Sequence, residues 1–598
     1  MNIISSIKNY LSPNQDISMN KSVDNTINDV IIDTTFKLPI EYLDNNDIKT
    51  LPTHVSNDLE LILTPEPDNK NMYEHLFNPT NVFAKQLLSA WNNKYTTNTH
   101  FLKDSQKIIQ NMNLYKKNIS ANVDPEEILT IWKNTKQNNM FCEKYNYLDW
   151  EMLKHLNYSS SFLQILSCIH ILSPVISFLL PFLLLLFPFI ILKVQGVSIT
   201  SDIYVETLKL VAKNHFIGKM LFNSSNINWE KMIYICFTIG LYIFQIYQNI
   251  TTCRRFYNNI ININKDLEYL KEYTNHSINS MENFMQITQK YQTYTRFNEN
   301  LFQNINSLYE LKIQLDNIDS FKLSFNKFMN IGYMLKSYYI IHDNKEFENT
   351  LRFSVGFHGY LNNLCQLNSH ISDGVISFAT FTNNNDCSFK QQYYPAITHT
   401  KPICNDTDLG KNMIISAPNK AGKTTIIKSS LINLIFSQQT GCGFYESATI
   451  TPYSHIHSYL NIPDTSGRDS LFQAESRRCK DIIDIINENT NDRHFCIFDE
   501  LYSGTNPDEA VKSGSAFLKY LQKFSNVRFI LTTHYKEICK KFNKSALITN
   551  NKMDVSINEN GTFNYKYKLV KGISKIKGGI RVLKDMEYPD EIIQSMEN

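Results

Sequence analysis

The stretch Ile414-Ile415-Ser416-Ala417-Pro418-Asn419-Lys420-Ala421-Gly422-Lys423-Thr424-Thr425-Ile426-Ile427 decides how the rest of the chain is read. An apolar run enters a turn of small residues, Gly-Lys-Thr closes the turn, and a second apolar pair opens a helix-like segment. Strand, loop and helix in that order are the setting of a phosphate-cradling loop. Backbone N–H groups point inward, the lysine reaches the β- and γ-phosphates, and the first hydroxyl serves Mg²⁺. A Gly-Lys-Thr tripeptide alone is commonplace; its flanks give it meaning here. The reading assigns phosphate contact to Ala417, Pro418, Asn419, Lys420, Ala421, Gly422, Lys423, Thr424 and Thr425, and Mg²⁺ to Thr424. One departure stands out. Ala417 occupies the place of the motif's first glycine, and a positive φ there would cost about 1–2 kcal/mol. That predicts intact binding with slower turnover.

Downstream, Phe495-Cys496-Ile497-Phe498-Asp499-Glu500 is four apolar residues ending in two acids. It reads as a buried parallel strand whose carboxylates emerge at the carboxyl end, where ligands sit in doubly wound sheets. Asp499 then serves Mg²⁺, and Glu500 orients or deprotonates an attacking water. A third apolar strand, Val527 to Thr533, ends in His534, a candidate nucleotide sensor on the same edge. The loop Ser503-Gly504-Thr505-Asn506-Pro507-Asp508 is placed to carry information from the hydrolysis site to a facing subunit.

The 598 residues divide into several domains, and a formal net charge of +2 gives no global field for nucleic acid. Eleven cysteines are scattered without a C-x-x-C pair, which argues against a zinc site or a disulfide framework and suits a reducing compartment. The first residues show no secretory signal pattern. Residues 1–75 are polar and aperiodic, and are expected to be disordered or loosely packed. Residues 76–160 carry helical spacing, as do 251–375, where long core- or lever-like helices are expected. Between them, 161–250 holds two apolar runs. Residues 174–192 carry no charge and contain Pro174, Pro181 and Pro188, which would kink a helix; their length approaches the roughly 20 residues of a bilayer crossing. The second, 232–247, has tyrosines at its edges and is short, leaving a crossing and a core helix both open. Arg254 and Arg255 follow it, as on a cytosolic side. Two crossings place both flanking blocks in the cytosol and make Asn223-Ser224-Ser225 a candidate glycosylation triplet outside it. From 376 the texture becomes short β-like runs.

Together these motifs resemble the ATPase domain of the MutS family of DNA mismatch-repair proteins. The Pro418-Asn419 pair inside the loop is the specific part of the likeness. Ser466-Gly467-Arg468-Asp469-Ser470-Leu471-Phe472-Gln473-Ala474-Glu475 is similar to the family's signature loop with one extra residue, and Asp499-Glu500 and Thr533-His534-Tyr535 match its later steps. Tyr394 to Ile397, Ile403 to Asp406, Tyr567 to Ser574, Gly579 to Leu583 and Pro589 to Ile593 continue the likeness, which covers about 393–593. The resemblance implies an α/β P-loop ATPase domain at the C-terminus; the helical blocks before it are compatible with an all-α core and lever region, interrupted by the transmembrane hairpin read from the two apolar runs, which is foreign to repair proteins of this family. It implies ATP and Mg²⁺ as ligands, and Ser470 acting on the γ-phosphate of an opposing subunit in a homodimer or a related pair. It also implies Ile403 and His534 flanking the adenine ring, and binding of mismatched or branched DNA. No mismatch-reading domain is visible; Phe444-Tyr445-Glu446 spells the family's reading triplet but lies inside the ATPase. The expected protein is a two-span, bilayer-anchored, Mg-dependent ATPase switch with its ATPase in the cytosol. The alternative is a nucleotide-gated membrane scaffold with weak ATPase and no DNA binding. A transporter subunit of the ABC type is disfavoured, because no Leu-Ser-Gly-Gly-Gln stretch precedes the acidic strand.

Overall fold

The computed structural model describes residues 35–66, 68–118, 124–212, 229–319, 325–397, 401–460, 470–558, 563–576 and 588–597, with Ile462 and Met586. The Asn223 triplet, Ser466 to Asp469 and Gly579 to Leu583 lie outside these residues, as do residues 1–34.

Up to residue 376 the described chain is helical apart from a small ribbon pairing Ile48–Thr50 with Lys94–Thr96. The polar N-terminal reach expected to be disordered is folded from Thr35 onward, which corrects that expectation. Many of its apolar residues are buried, among them Phe36, Leu38, Ile40, Val55, Leu59, Leu61 and Met72. Phe36 packs its ring 5.2 Å from that of Phe353 and lies over Gly356, where a Cβ would stand only 2.4 Å from the Phe36 side chain. Polar ties then fix the segment to the C-terminal domain. Ser458 Oγ donates to Asp58 (2.6 Å), Lys428 pairs with Glu60 (3.1 Å), and Tyr73 OH donates to Gln439 (3.1 Å).

The long helices are α1 (Thr99–Asn118), α2 (Ser160–Val194), α3 (Trp229–Thr288), α4 (Thr295–Asp316), α5 (Ile331–Asp343) and α6 (Lys345–Ser372). Ser159 caps α2, accepting from Phe162 N. The helix continues unbroken through Pro174, Pro181 and Pro188. α4 presents Leu301, Ile305, Leu308, Leu311 and Leu315, spaced by three and four, to the core. The first turns of α2 belong to the same core: Gln164 Oε1 accepts from Gly332 N (2.8 Å), and a Cβ on Gly332 would meet Ser160 O at 2.2 Å. Beyond His170, α2 lies against α3, with Tyr242 OH donating to Ser177 O (2.7 Å) and Asn249 Nδ2 to Ser177 Oγ (2.5 Å). The sequence reading expected two crossings, the first over 174–192. Among the described residues a single helical stretch, Ser160–Leu180, is long and apolar enough to cross a membrane, while 232–247 continues into the 60-residue α3.

The C-terminal domain is α/β with two mixed sheets. Its strands are β1 (Ser377–Phe381), β2 (Cys387–Gln392), β3 (Asn405–Asp408), β4 (Asn412–Ser416), β5 (Cys442–Gly443), β6 (Ser447–Ile450), β7 (His455–Tyr459), β8 (His494–Asp499), β9 (Val527–Thr533), β10 (Ile548–Ile557) and β11 (Phe563–Lys571). The helices are α7 (Lys423–Thr440), α8 (Leu471–Glu488), α9 (Pro507–Leu521), α10 (Lys536–Phe542) and α11 (Asp590–Glu597). One sheet has the order β3-β2-β6-β1-β5; the other has the order β11-β10-β4-β9-β8-β7 and is parallel except for β11. Every residue of β4 is buried, as expected of a central parallel strand covered on both faces. Phe444 is buried at 2 % exposure, so the Phe-Tyr-Glu triplet offers no aromatic wedge to a duplex.

Candidate functional site

β4, β9 and β8 lie side by side, and their carboxyl ends build the site. Register pairs Asp499 with Thr532 and Thr533 with Ser416. The turn after β4, the histidine after β9 and the acids ending β8 therefore open onto one sheet edge, although they are far apart in sequence.

The turn itself reaches left-handed backbone at Lys420 (φ 63°) and Gly422 (φ 87°). Ala417 has no positive φ and is buried, so the strain expected from the missing glycine is absent. Gly422 opens α7, and a Cβ there would stand 3.1 Å from the Tyr567 ring. Gly422→Ala is expected to lower stability by about 1–2 kcal/mol from backbone strain alone and to push Tyr567 off the loop. Thermal unfolding of the variant checks this; an unchanged midpoint would show that the loop adopts another path.

Lys423 is 5 % exposed and fully engaged. Its Nζ donates to Ala417 O (3.0 Å), pairs with Glu500 Oε1 (3.2 Å) and meets His534 Nδ1 (2.9 Å). His534 Nε2 in turn lies 2.6 Å from Glu500 Oε1. Burial lowers the pKa of Lys423, with Glu500 and Asp499 opposing it. Burial would raise that of Glu500, but the His534 hydrogen bond and the Lys423 charge outweigh it and hold the carboxyl below its usual value. Asp499 uses both oxygens: Oδ2 accepts from Thr424 Oγ1 (2.7 Å) and Oδ1 from Thr532 Oγ1. Beyond Asp499 the chain turns sharply, with Glu500 at φ 53° and Tyr502 at φ 59°. Two left-handed non-glycine residues cost about 1–2 kcal/mol each, a strain that surrounding structure must hold in place.

A cavity of about 560 Å³ extends from this edge. Its walls include the 418–426 segment, Glu500, Tyr394, Ile403, Met553 and Tyr567. Lys423, Thr424, Asp499, Glu500 and His534 thus come together, and Ile403 lines the far wall. His534 stands against Lys423 and Glu500. Ser470 joins none of them: it caps α8, accepting from Gln473 N (3.3 Å) while Gln473 Oε1 accepts from Ser470 N (2.9 Å), and its side chain is exposed. Tyr567 was missed by the sequence reading as a wall residue. Its strand was legible, but nothing local shows that β11 folds back over the loop, held by Asn405 Nδ2 donating to Tyr567 O (3.0 Å). Among the described residues no group of three or more His, Cys, Asp or Glu is arranged to hold a metal ion.

Residues 413–598 match the family model for MutS domain V. The chain is similar to the putative endonuclease MutS2 of Bacillus subtilis (strain 168), 26 % identical over 217 residues, covering 35 % of this chain and 27 % of that protein. It is also similar to the DNA mismatch repair protein MutS of Leuconostoc mesenteroides, 24 % identical over 222 residues, covering 36 % and 26 %. The endonuclease MutS2 of Clostridium tetani is 24 % identical over 241 residues, covering 38 % and 30 %. The chain thus spans less than a third of the length of these curated relatives, all within its C-terminal part. Residues 413–598 thus match MutS domain V, and over that part the chain is similar to MutS and MutS2 proteins.

Proposed function

We propose that this chain is a membrane-anchored, dimeric ATPase that uses ATP and Mg²⁺ to change the relative disposition of its domains. The observation that carries the reading is the convergence of Lys423, Thr424, Asp499 and Glu500 on one sheet edge beside a 560 Å³ cavity. A hydroxyl and a carboxylate oxygen 2.7 Å apart suit Mg²⁺, which takes one or two protein oxygens and completes its shell with phosphate and water. Thr424 and Asp499 would hold the ion, which supplies charge neutralisation at the phosphate oxygens. The loop N–H groups and Lys423 bind the phosphates; Glu500, ionised and steered by His534, orients water and takes its proton. Tyr567, Ile403 and Met553 offer the flat and apolar wall a purine needs. Ser470, exposed and off the cavity wall, suits action on a facing subunit.

Glu500→Gln is expected to reduce turnover by about 10²–10⁴-fold while leaving nucleotide binding in place, because glutamine keeps the shape and loses the base. Steady-state hydrolysis beside a fluorescent-nucleotide titration checks this; wild-type turnover in the variant removes Glu500 from the chemistry.

The helical pair supports the anchoring. The arms from Ile171 to Val194 and from Trp229 to Cys253 are roughly 36 Å long at 1.5 Å per residue, against about 30 Å of hydrocarbon. Ile176, Phe178 and Leu179 on one arm and Phe237, Leu241 and Phe244 on the other are exposed. Arg254 and Arg255 are exposed where the arms re-enter the core. DNA binding belongs to the proposal through the names of the relatives. Salt-sensitive retention of mismatched or branched DNA on filters would support it, and no retention would favour the scaffold with weak ATPase.

A further inference from the structure

Glu475 is a carboxylate at 2 % exposure on α8, outside the nucleotide cavity, and it faces the turn that follows Asp499-Glu500. Its Oε1 accepts from Ser503 N (3.0 Å) and Ser503 Oγ (2.9 Å), and its Oε2 accepts from Gly504 N (3.2 Å). The Tyr459 hydroxyl, at the end of β7, hydrogen-bonds the same carboxylate and accepts from Tyr502 N (3.1 Å). Four donors thus converge on one buried side chain, and three of them belong to the two residues just after the left-handed Glu500 and Tyr502. Gly504 also touches the start of α8: a Cβ there would lie 2.6 Å from Leu471 Cγ and 2.9 Å from Phe472 N. The helix capped by Ser470 and the turn that aims Glu500 are therefore packed as one piece, with Glu475 as the link.

We infer that Glu475 is a positioning residue for hydrolysis: it holds the 500–504 turn in its strained path and makes the aim of Glu500 depend on where α8 sits. A nucleotide engaged by Ser470 from a facing subunit would then be sensed at Glu500 through this carboxylate. The inference rests on the ATPase reading above. A carboxylate is required because Gly504 N–H and Ser503 N–H approach different oxygens; an amide offers one acceptor and sets its NH₂ against the other donor.

The test measures kcat, the KM for ATP and thermal unfolding of the full chain in detergent for wild type, Glu475→Gln and Ser503→Ala. Expected is a fall in kcat of tenfold or more for Glu475→Gln (on the order of 1.4 kcal/mol per tenfold), with KM within about threefold because the phosphate loop is untouched. Ser503→Ala, which removes one of the bonds and no backbone donor, is expected to lower kcat several-fold at an unchanged unfolding midpoint. If Glu475→Gln fails to fold, Ser503→Ala decides. Wild-type kcat in both variants overturns the role of Glu475 and leaves the ATPase reading intact, as does a rise in KM at constant kcat. Wild type that hydrolyses no ATP overturns both.

Discussion

Alanine at position 423 is expected to weaken ATP·Mg²⁺ binding by about 10- to 100-fold. The ammonium is the buried cation at the phosphate end of the cavity, with Ala417 O at 3.0 Å and Glu500 at 3.2 Å. A charge-assisted contact of this kind is worth about 1.5–3 kcal/mol, and each 1.4 kcal/mol is tenfold in affinity. The substitution also leaves Glu500 without the charge that helps hold its carboxyl below the usual range. The sign follows from that direction. A depressed carboxyl is ionised above its folded pKa and loses its base function as pH falls through it. Removing Lys423 lets burial act with less opposition, so the acid limb of any residual hydrolysis moves to higher pH. A fluorescent-nucleotide titration reads the first effect, and the pH profile of residual hydrolysis reads the second. An unchanged affinity would take the 417–424 turn out of the nucleotide site altogether.

The parts of this site legible in the sequence are those whose chemistry is local. A phosphate loop is contiguous, and Asp499-Glu500 announces itself because four apolar residues before two acids describe a strand end. Sheet order was not legible. That β9 lies between β4 and β8, which sets Thr532 against Asp499 and His534 against Lys423, is a property of pairing. The contacts of His534 with Lys423 and Glu500 follow from that pairing and from nothing local to its own strand. Glu475 was visible as the last residue of a signature-like stretch, but its partners, Ser503 and Gly504, sit on another loop. The N-terminal reach was misread for a different reason. Phe36, Leu38, Ile40, Leu51 and Val55 are sparse and aperiodic, so no helical or strand pattern betrays that they pack against α6 and the C-terminal domain. Periodicity detects elements that bury a face of their own; it is blind to a segment that fills grooves made by others. Ala417 shows the reverse case, a motif position where the condition for strain, a positive φ, is not met.

Wild-type chain is expected to stay in the pellet after carbonate extraction, and a variant lacking 173–251 to move to the supernatant with nucleotide binding retained. The competing account of α2 is a buried core helix; only 11 % of the apolar stretch in Ser160–Leu180 is buried, which supports the anchoring proposed above. Fifteen Val, Ile, Leu or Phe residues fall between 174 and 192. At about 0.3–0.6 kcal/mol each they would contribute roughly 5–9 kcal/mol to the proposed insertion, before the cost of the three prolines and the serine in the same run. In water the exposed members of this run, Ile176, Phe178, Phe182, Leu186, Phe187 and Phe189 among them, would leave an apolar patch of the kind soluble monomers seldom show. The deletion is geometrically mild because the two arms meet at their base, where Cys253 Sγ lies 3.6 Å from Ile171 O, so a short Gly/Ser bridge closes the gap. The buried parts of both helices, Leu163 and Ser167 on α2 and Phe256 onward on α3, remain in the core. If carbonate strips the wild type, the arms do not cross a bilayer. If the shortened chain still pellets while binding nucleotide, some other surface holds it to the membrane.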